Sequence, residues 1–211
     1  MSTVPPAYQT VPLFPTPVLL VDVPDAERAN GEWRRVLLER ERSQPSQSHS
    51  TLGGRQSTWD VDRWAGAQAL ALLALARNIA QQATPARDGS AVTPVWRTNM
   101  WANINRSGHG NEFHSHPGAF WSGVYYVDDG GIAADPSLGG ELEFMDPRGP
   151  GPAMYAPQLA FAIPGGLSVG ANETVQPRAG RLVMFPAWLL HQVRPYRGTA
   201  ARISVAFNLS L

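Results

Sequence analysis

From residue 91 onward, glycine, proline, aspartate and asparagine cut the chain into short β-prone runs, and that spacing leaves few folds open. The runs are VWRTNMWANINRSG (95–108), FWSGVYYVDD (120–129), GELEFMDP (140–147), RLVMFPAW (181–188), HQVRPY (191–196) and ARISVAFNLSL (201–211). Short strands separated by regular turn signals predict an all-β sandwich or barrel. The Pro- and Gly-rich stretch 149–178 reads as an insert with one hairpin, and inserts of that length often act as lids.

The first 90 residues read differently. PLFPTPVLLVDVP places a strand over 18–23, and 25–44 reads as a helix with Asp25 at its N-cap. A polar loop spans 45–60, and the Ala/Leu-rich 62–83 is a second helix. A length of 211 residues with 43% hydrophobic content suits one domain with a sizeable core. The expected division is a strand and supporting helices over 1–90 and a β core over 91–211. The formal net charge is zero, which weighs against nucleic acid and against a polybasic membrane anchor. Without cysteine there is no disulfide, thiolate ligand or cysteine nucleophile. The N-terminus lacks a signal-peptide pattern, and the apolar run near 65–76 is too short to span a bilayer. The expectation is a soluble cytoplasmic protein. If it is a homodimer, the N-terminal helices are the surface expected to join two copies.

The chemistry gathers around FHSHPGAFWSGVYYV, residues 113–127. In a strand, residues i and i+2 project to one face, so His114 and His116 are expected to reach the same metal ion. A site that activates O₂ needs three protein ligands on one face and open positions opposite. His191, after the apolar run LVMFPAWLL, is the candidate third ligand. Eleven residues later, Arg202 sits inside an apolar β run, a costly place for a guanidinium unless it is paired. With Ser204 on the same face it suits bidentate capture of a carboxylate, such as the far end of a dicarboxylic acid.

These residues resemble the Fe(II)/2-oxoglutarate-dependent oxygenases, whose double-stranded β-helix carries His-x-Asp/Glu, a distal His, and Arg-x-Ser about ten residues further on. A group of bacterial and phage proteins in that superfamily is more similar still, through LFPTP, HSHPG followed by SGVYYV, GGELEFMDPR, FPAWLLHQVRPY and RISVAFN. The resemblance implies a distorted jelly-roll, mainly β with N-terminal helices, that uses Fe(II), 2-oxoglutarate and O₂. The mechanism it implies is oxidation of 2-oxoglutarate to succinate and CO₂ coupled to hydroxylation of a C–H bond. It does not imply a substrate, and the expectation for that is an unactivated C–H bond of a small molecule or peptide side chain. Asn103, eleven residues before His114, is similar to the asparagine of an Asn-x-Tyr pair in the oxidative nucleic-acid demethylases. By that likeness Asn103 and Asn105 would hydrogen-bond 2-oxoglutarate, Asn105 standing in the tyrosine's place.

His116 replaces the usual carboxylate, and three readings are open. One is completion of a three-histidine face. Another has His116 turned away, leaving a two-histidine site open to halide. In the third, a carboxylate from Glu112, Glu141 or Glu143 takes its place. Two rival functions use the same residues: a three-histidine Fe(II) dioxygenase that needs no keto acid, and a non-catalytic jelly-roll that binds metal or ligand. His49 and His109 read as loop residues. Trp96, Trp101, Trp121 and Trp188 read as core aromatics, with Trp121 the one placed to line a substrate pocket. Tyr126 reads as core packing.

Overall fold

A computed structural model describes residues 9–47, 49–161 and 170–211. Among these residues, eleven strands form two antiparallel sheets. The strands are β1 (Leu19–Asp22), β2 (Thr51–Leu52), β3 (Arg55–Gln56), β4 (Arg97–Asn105), β5 (Gly110–His114), β6 (Trp121–Asp128), β7 (Leu142–Phe144), β8 (Glu173–Val175), β9 (Arg181–Pro186), β10 (His191–Val193) and β11 (Arg202–Ser210). The larger sheet has the order β1-β9-β6-β11-β4-β3, and the smaller β2-β5-β10-β7-β8. This is the double-stranded β-helix expected from the sequence, with helices supplied by the N-terminal part.

Period-2 alternation in the larger sheet explains where the site can form. Along β11, Ile203, Val205, Phe207 and Leu209 are buried in a cluster with Trp33 and Leu37 of α1 (Ala26–Ser43) and Leu72, Leu73 and Ala76 of α3 (Ala67–Gln82). Trp33 and Leu37 stand one helical turn apart, so one face of α1 meets the sheet. The intervening β11 residues, Arg202, Ser204, Ala206, Asn208 and Ser210, line a cavity on the opposite face. A smaller cluster of Tyr126, Leu142, Phe144, Val183, Phe185 and Leu189 joins the two sheets beside that cavity.

Several local expectations change. Asp25 stands at the N-cap of α1 as expected, but with left-handed backbone (φ 51°) and no side-chain cap hydrogen bond. The second helix is broken at Ala65 and Gly66 into α2 (Val61–Trp64) and α3, because Gly66 takes φ 89°. The loop 45–60 contributes β2 to the small sheet and β3 to the large one. In the insert, α4 (Gly151–Tyr155) and β8 lie among the described residues, whereas 162–169 of the expected lid lie outside them. Among the described residues no helix is long and apolar enough to cross a membrane.

Candidate metal centre

The direct pairing of His191 with His114 across β10 and β5 builds the centre. His114 closes β5, while His116 lies just beyond the strand, where its backbone N–H donates to the Ala187 carbonyl (2.8 Å). The two rings converge through a turn here, and not through strand alternation. One ring nitrogen from each of His114, His116 and His191 lies within 4.8 Å of the other two. Ring centroids are 4.4 Å apart for His114 and His191, 5.0 Å for His116 and His191, and 5.1 Å for His114 and His116.

Each Nδ1 faces an oxygen. That of His114 lies 2.7 Å from the Glu112 carbonyl, and that of His191 lies 2.8 Å from the Leu189 carbonyl. The third, on His116, lies 2.5 Å from Asn208 Oδ1. An Nδ1–H donated to a carbonyl oxygen leaves Nε2 with its lone pair, which is the tautomer that lets Nε2 bind a metal. Burial also favours the neutral rings. It lowers the His114 pKa, and it brings His116 to about 4 and His191 to about 3 from an ordinary 6.5. Three neutral, convergent, oriented imidazoles fit a divalent transition metal.

The depressed pKa values set a pH dependence. The unfolded chain takes up protons on His116 and His191 near pH 6.5, the folded one only near 4 and 3. Above about 6.5 neither state is protonated, so stability is undisturbed. As pH falls from 6.5 towards 3, the unfolded state binds more protons and folding weakens. Metal-free protein should lose several kcal/mol between pH 7 and 4.5, since each tenfold loss of proton affinity on folding is worth about 1.4 kcal/mol. Melting temperature across that range checks this, and a flat profile would contradict neutral burial of the three rings.

At the far end of β11, Arg202 is 1% exposed. Its Nε donates to the Gly140 carbonyl (3.1 Å), and its Nη2 is buried without a hydrogen-bond partner. Gly140 reaches that position with φ +81°, and a Cβ there would meet Ile132 Cδ1 at 2.9 Å. No carboxylate lies within 4 Å of Arg202 among the described residues; burial lowers its pKa, opposed first by Tyr126 and Tyr196 and then by Glu141. Ser204 pairs with Asn103 and Arg202 with Asn105 across β11 and β4. Asn103 Oδ1, Asn105 Nδ2 and Tyr126 Oη are likewise buried and unpartnered, and the Tyr126 ring lies 5.2 Å from the Arg202 guanidinium carbon. A buried cation with a free donor, ringed by unsatisfied polar atoms, fits an anionic ligand with further hydrogen-bonding groups.

The three histidines and Arg202 line one cavity of about 420 Å³, and Arg202 is the only Asp, Glu, Lys or Arg in its described wall. The carboxylates weighed as substitute ligands lie elsewhere. Glu112 is exposed, Glu143 is taken up by Asn172, Gln192 and Arg194, and Glu141 is not in the three-histidine cluster. Of the aromatic residues read as core, Trp96, Trp101, Trp121 and Tyr126 are buried, with Trp101 and Tyr126 also lining the cavity, while Trp188 is exposed. Trp121 packs on the helix side with its indole N–H donated to Thr84 (2.8 Å), whereas Trp101 lines the cavity. Trp59 stacks on Trp101 (5.5 Å, 30°) and meets His49 (5.0 Å), and all three line the cavity. Tyr126 lines the cavity, and Tyr125 points to α1, donating to Asn30. His109 is a turn residue, its Nδ1 accepting from the Arg106 backbone N–H.

Residues 99–208 match the family model described as "Putative 2OG-Fe(II) oxygenase", 2OG being 2-oxoglutarate, and that match spans more than half of the chain. No protein of curated function matches the sequence. Among solved structures, a prolyl-4-hydroxylase from Pseudomonas putida is similar at 19% identity, covering 92% of each chain with a TM-score of 0.61. A Trichoplax adhaerens prolyl hydroxylase, in complex with a hypoxia inducible factor peptide fragment, is 13% identical over 92% of this chain and 83% of that one, with a TM-score of 0.61. HygX from Streptomyces hygroscopicus, with nickel and 2-oxoglutarate bound, is 14% identical over 92% and 83%, with a TM-score of 0.55. At these identities the likeness bears on the fold.

Proposed function

We propose that this chain, which belongs to the 2OG-Fe(II) oxygenase family, hydroxylates an unactivated C–H bond of a small molecule or peptide side chain. The observation that carries this reading is the convergence of three neutral imidazoles and one unpaired, buried guanidinium on a single cavity. His114, His116 and His191 would hold Fe(II), with Arg202 and Ser204 taking the far carboxylate of 2-oxoglutarate and Asn103 and Asn105 its remaining polar atoms. Bound together, Fe(II), 2-oxoglutarate and O₂ supply the oxidising chemistry, in which R–H becomes R–OH while the keto acid becomes succinate and CO₂.

The chain's own residues do the positioning. The Glu112 and Leu189 carbonyls accept from Nδ1 of His114 and His191, and the Asn208 side chain would do the same for His116, so the ligand nitrogens would face inward before any metal arrives. Phe185 (4.6 Å between ring centroids) and Phe144 (6.2 Å) flank His191 and keep water from that side of the centre. The Trp59–Trp101 stack and the amides of Gln56, Asn99 and Asn111 form another part of the cavity wall. That wall carries no carboxylate, so it favours a group that is uncharged where it reacts. The solved relatives include one with a peptide fragment bound and one with hygromycin B bound, so both substrate classes have precedents on this fold.

Anaerobic titration with Fe(II) and 2-oxoglutarate tests the reading. A weak visible charge-transfer band should appear only when both are present. Screening peptides and small metabolites should then give succinate in step with a product heavier by one oxygen. Iron binding with no such band in the presence of 2-oxoglutarate would overturn the assignment of these residues.

A further inference from the structure

We infer that Asn208, braced by Ser122, is a positioning residue for the metal centre: its side-chain carbonyl holds the Nδ1 proton of His116 and thereby aims Nε2 at the ion. This rests on the reading that His116 is a ligand. His114 and His191 each find an acceptor on the backbone two residues earlier, Glu112 and Leu189. Those carbonyls come with the local chain and do not depend on any side chain. His116 lies past the end of β5, and its acceptor comes instead from β11, 92 positions along the chain.

The geometry makes a closed three-membered network. His116 Nδ1 lies 2.5 Å from Asn208 Oδ1 and 2.8 Å from Ser122 Oγ, and Ser122 Oγ donates to Asn208 Oδ1 at 2.8 Å. Ser122 and Asn208 are direct cross-strand partners in β6 and β11, and Ser122 is fully buried. With His116 protonated at Nδ1, as the inference requires, and Ser122 Oγ donating, the amide atom that both meet is the oxygen. The Trp101 ring, 5.5 Å from that of His116, limits where the imidazole can turn.

An asparagine also has the right charge. With three neutral ligands and Arg202 as the only Asp, Glu, Lys or Arg in the described wall, the cavity suits an incoming dicarboxylate. An aspartate at 208 would orient His116 equally well, yet would place a negative charge against it. The amide orients the ring and leaves the charge unchanged.

Two readouts test this without turnover. In metal-free protein, imidazole ¹⁵N–¹H spectra should show His116 protonated at Nδ1. Asn208→Leu should give mixed tautomers, and Asn208→Asp should restore the wild-type one. In Co(II) titrations, Asn208→Leu should bind about 10–100-fold more weakly, the usual cost of losing an outer partner of a ligand histidine. Asn208→Asp should stay within a few-fold for Co(II) but bind 2-oxoglutarate more weakly than wild type. Ser122→Ala should cost about fivefold in Co(II) affinity, one hydrogen bond's worth, and it stands in if Asn208→Leu does not fold. Wild-type tautomer and Co(II) affinity in both Asn208→Leu and Ser122→Ala, with His116→Ala at least about 100-fold weaker, would overturn the positioning role alone. Undiminished Co(II) binding by His116→Ala would overturn the ligand reading itself and this inference with it.

Discussion

Arg202→Leu should melt no lower than the parent in the absence of ligands, yet gain nothing from added 2-oxoglutarate. The buried guanidinium has one good acceptor, the Gly140 carbonyl, and a donor with none. Keeping such a charge out of water is costly, and replacing buried ionic groups with apolar ones of similar volume is often neutral or stabilising. The same charge becomes favourable once a carboxylate meets it. Losing a buried charge-assisted pair typically costs about 3–5 kcal/mol, so affinity for the keto acid should fall by about 10²–10³-fold or more. Arg202→Lys should recover part of that, because it keeps the charge and loses the planar fork. Thermal shift with and without 2-oxoglutarate reads both effects. Full activity in Arg202→Leu would favour a three-histidine dioxygenase that needs no keto acid.

His191→Ala should abolish metal-dependent activity and weaken metal binding by more than about 100-fold, beyond the range for an outer partner. His191 is the least exposed of the three histidines and lies opposite both His114 and Phe144, at the middle of the smaller sheet. The substitution should also flatten the acid limb of the stability profile. The ring held neutral down to about pH 3 is gone, so the unfolded state loses its largest advantage in proton uptake. Metal titration and melting temperature at about pH 7 and pH 5 separate these consequences. A His191→Ala protein that still bound Fe(II) as the parent does would remove the three-histidine site.

Most of the architecture is legible in the sequence because the long strands are rich in β-branched and aromatic residues between clear turn signals. β4, β6, β9 and β11 lie within the β-prone runs. β5 escapes such a reading: GNEFH has little intrinsic β character, and pairing with β10 and β2 holds it. The two-residue strands β2 and β3 likewise exist through their partners and not through propensity. At the site, the histidines and Arg202 stand out because each is an expensive or unusual residue in its setting. Asn208 gives no such signal alone. The alternation that puts Ser204 on the face of Arg202 also puts Asn208 there, six residues on, and following it to the strand's end finds the partner of His116. Trp59 and His49 have no such guide, since a polar loop gives no periodicity to follow.

β11 writes two messages in one segment of nine residues, interleaved letter by letter. Its odd-numbered positions speak to the helices and set how firmly the domain holds together. Its even-numbered ones speak to the cavity and set what the cavity can do. Substitution can therefore revise one message without disturbing the other, which lets such a scaffold acquire new substrates while staying folded. Insertion or deletion of a single residue cannot, because it exchanges the two faces at once. Variation along this strand should accumulate by replacement, with changes of length confined to the turns at its ends.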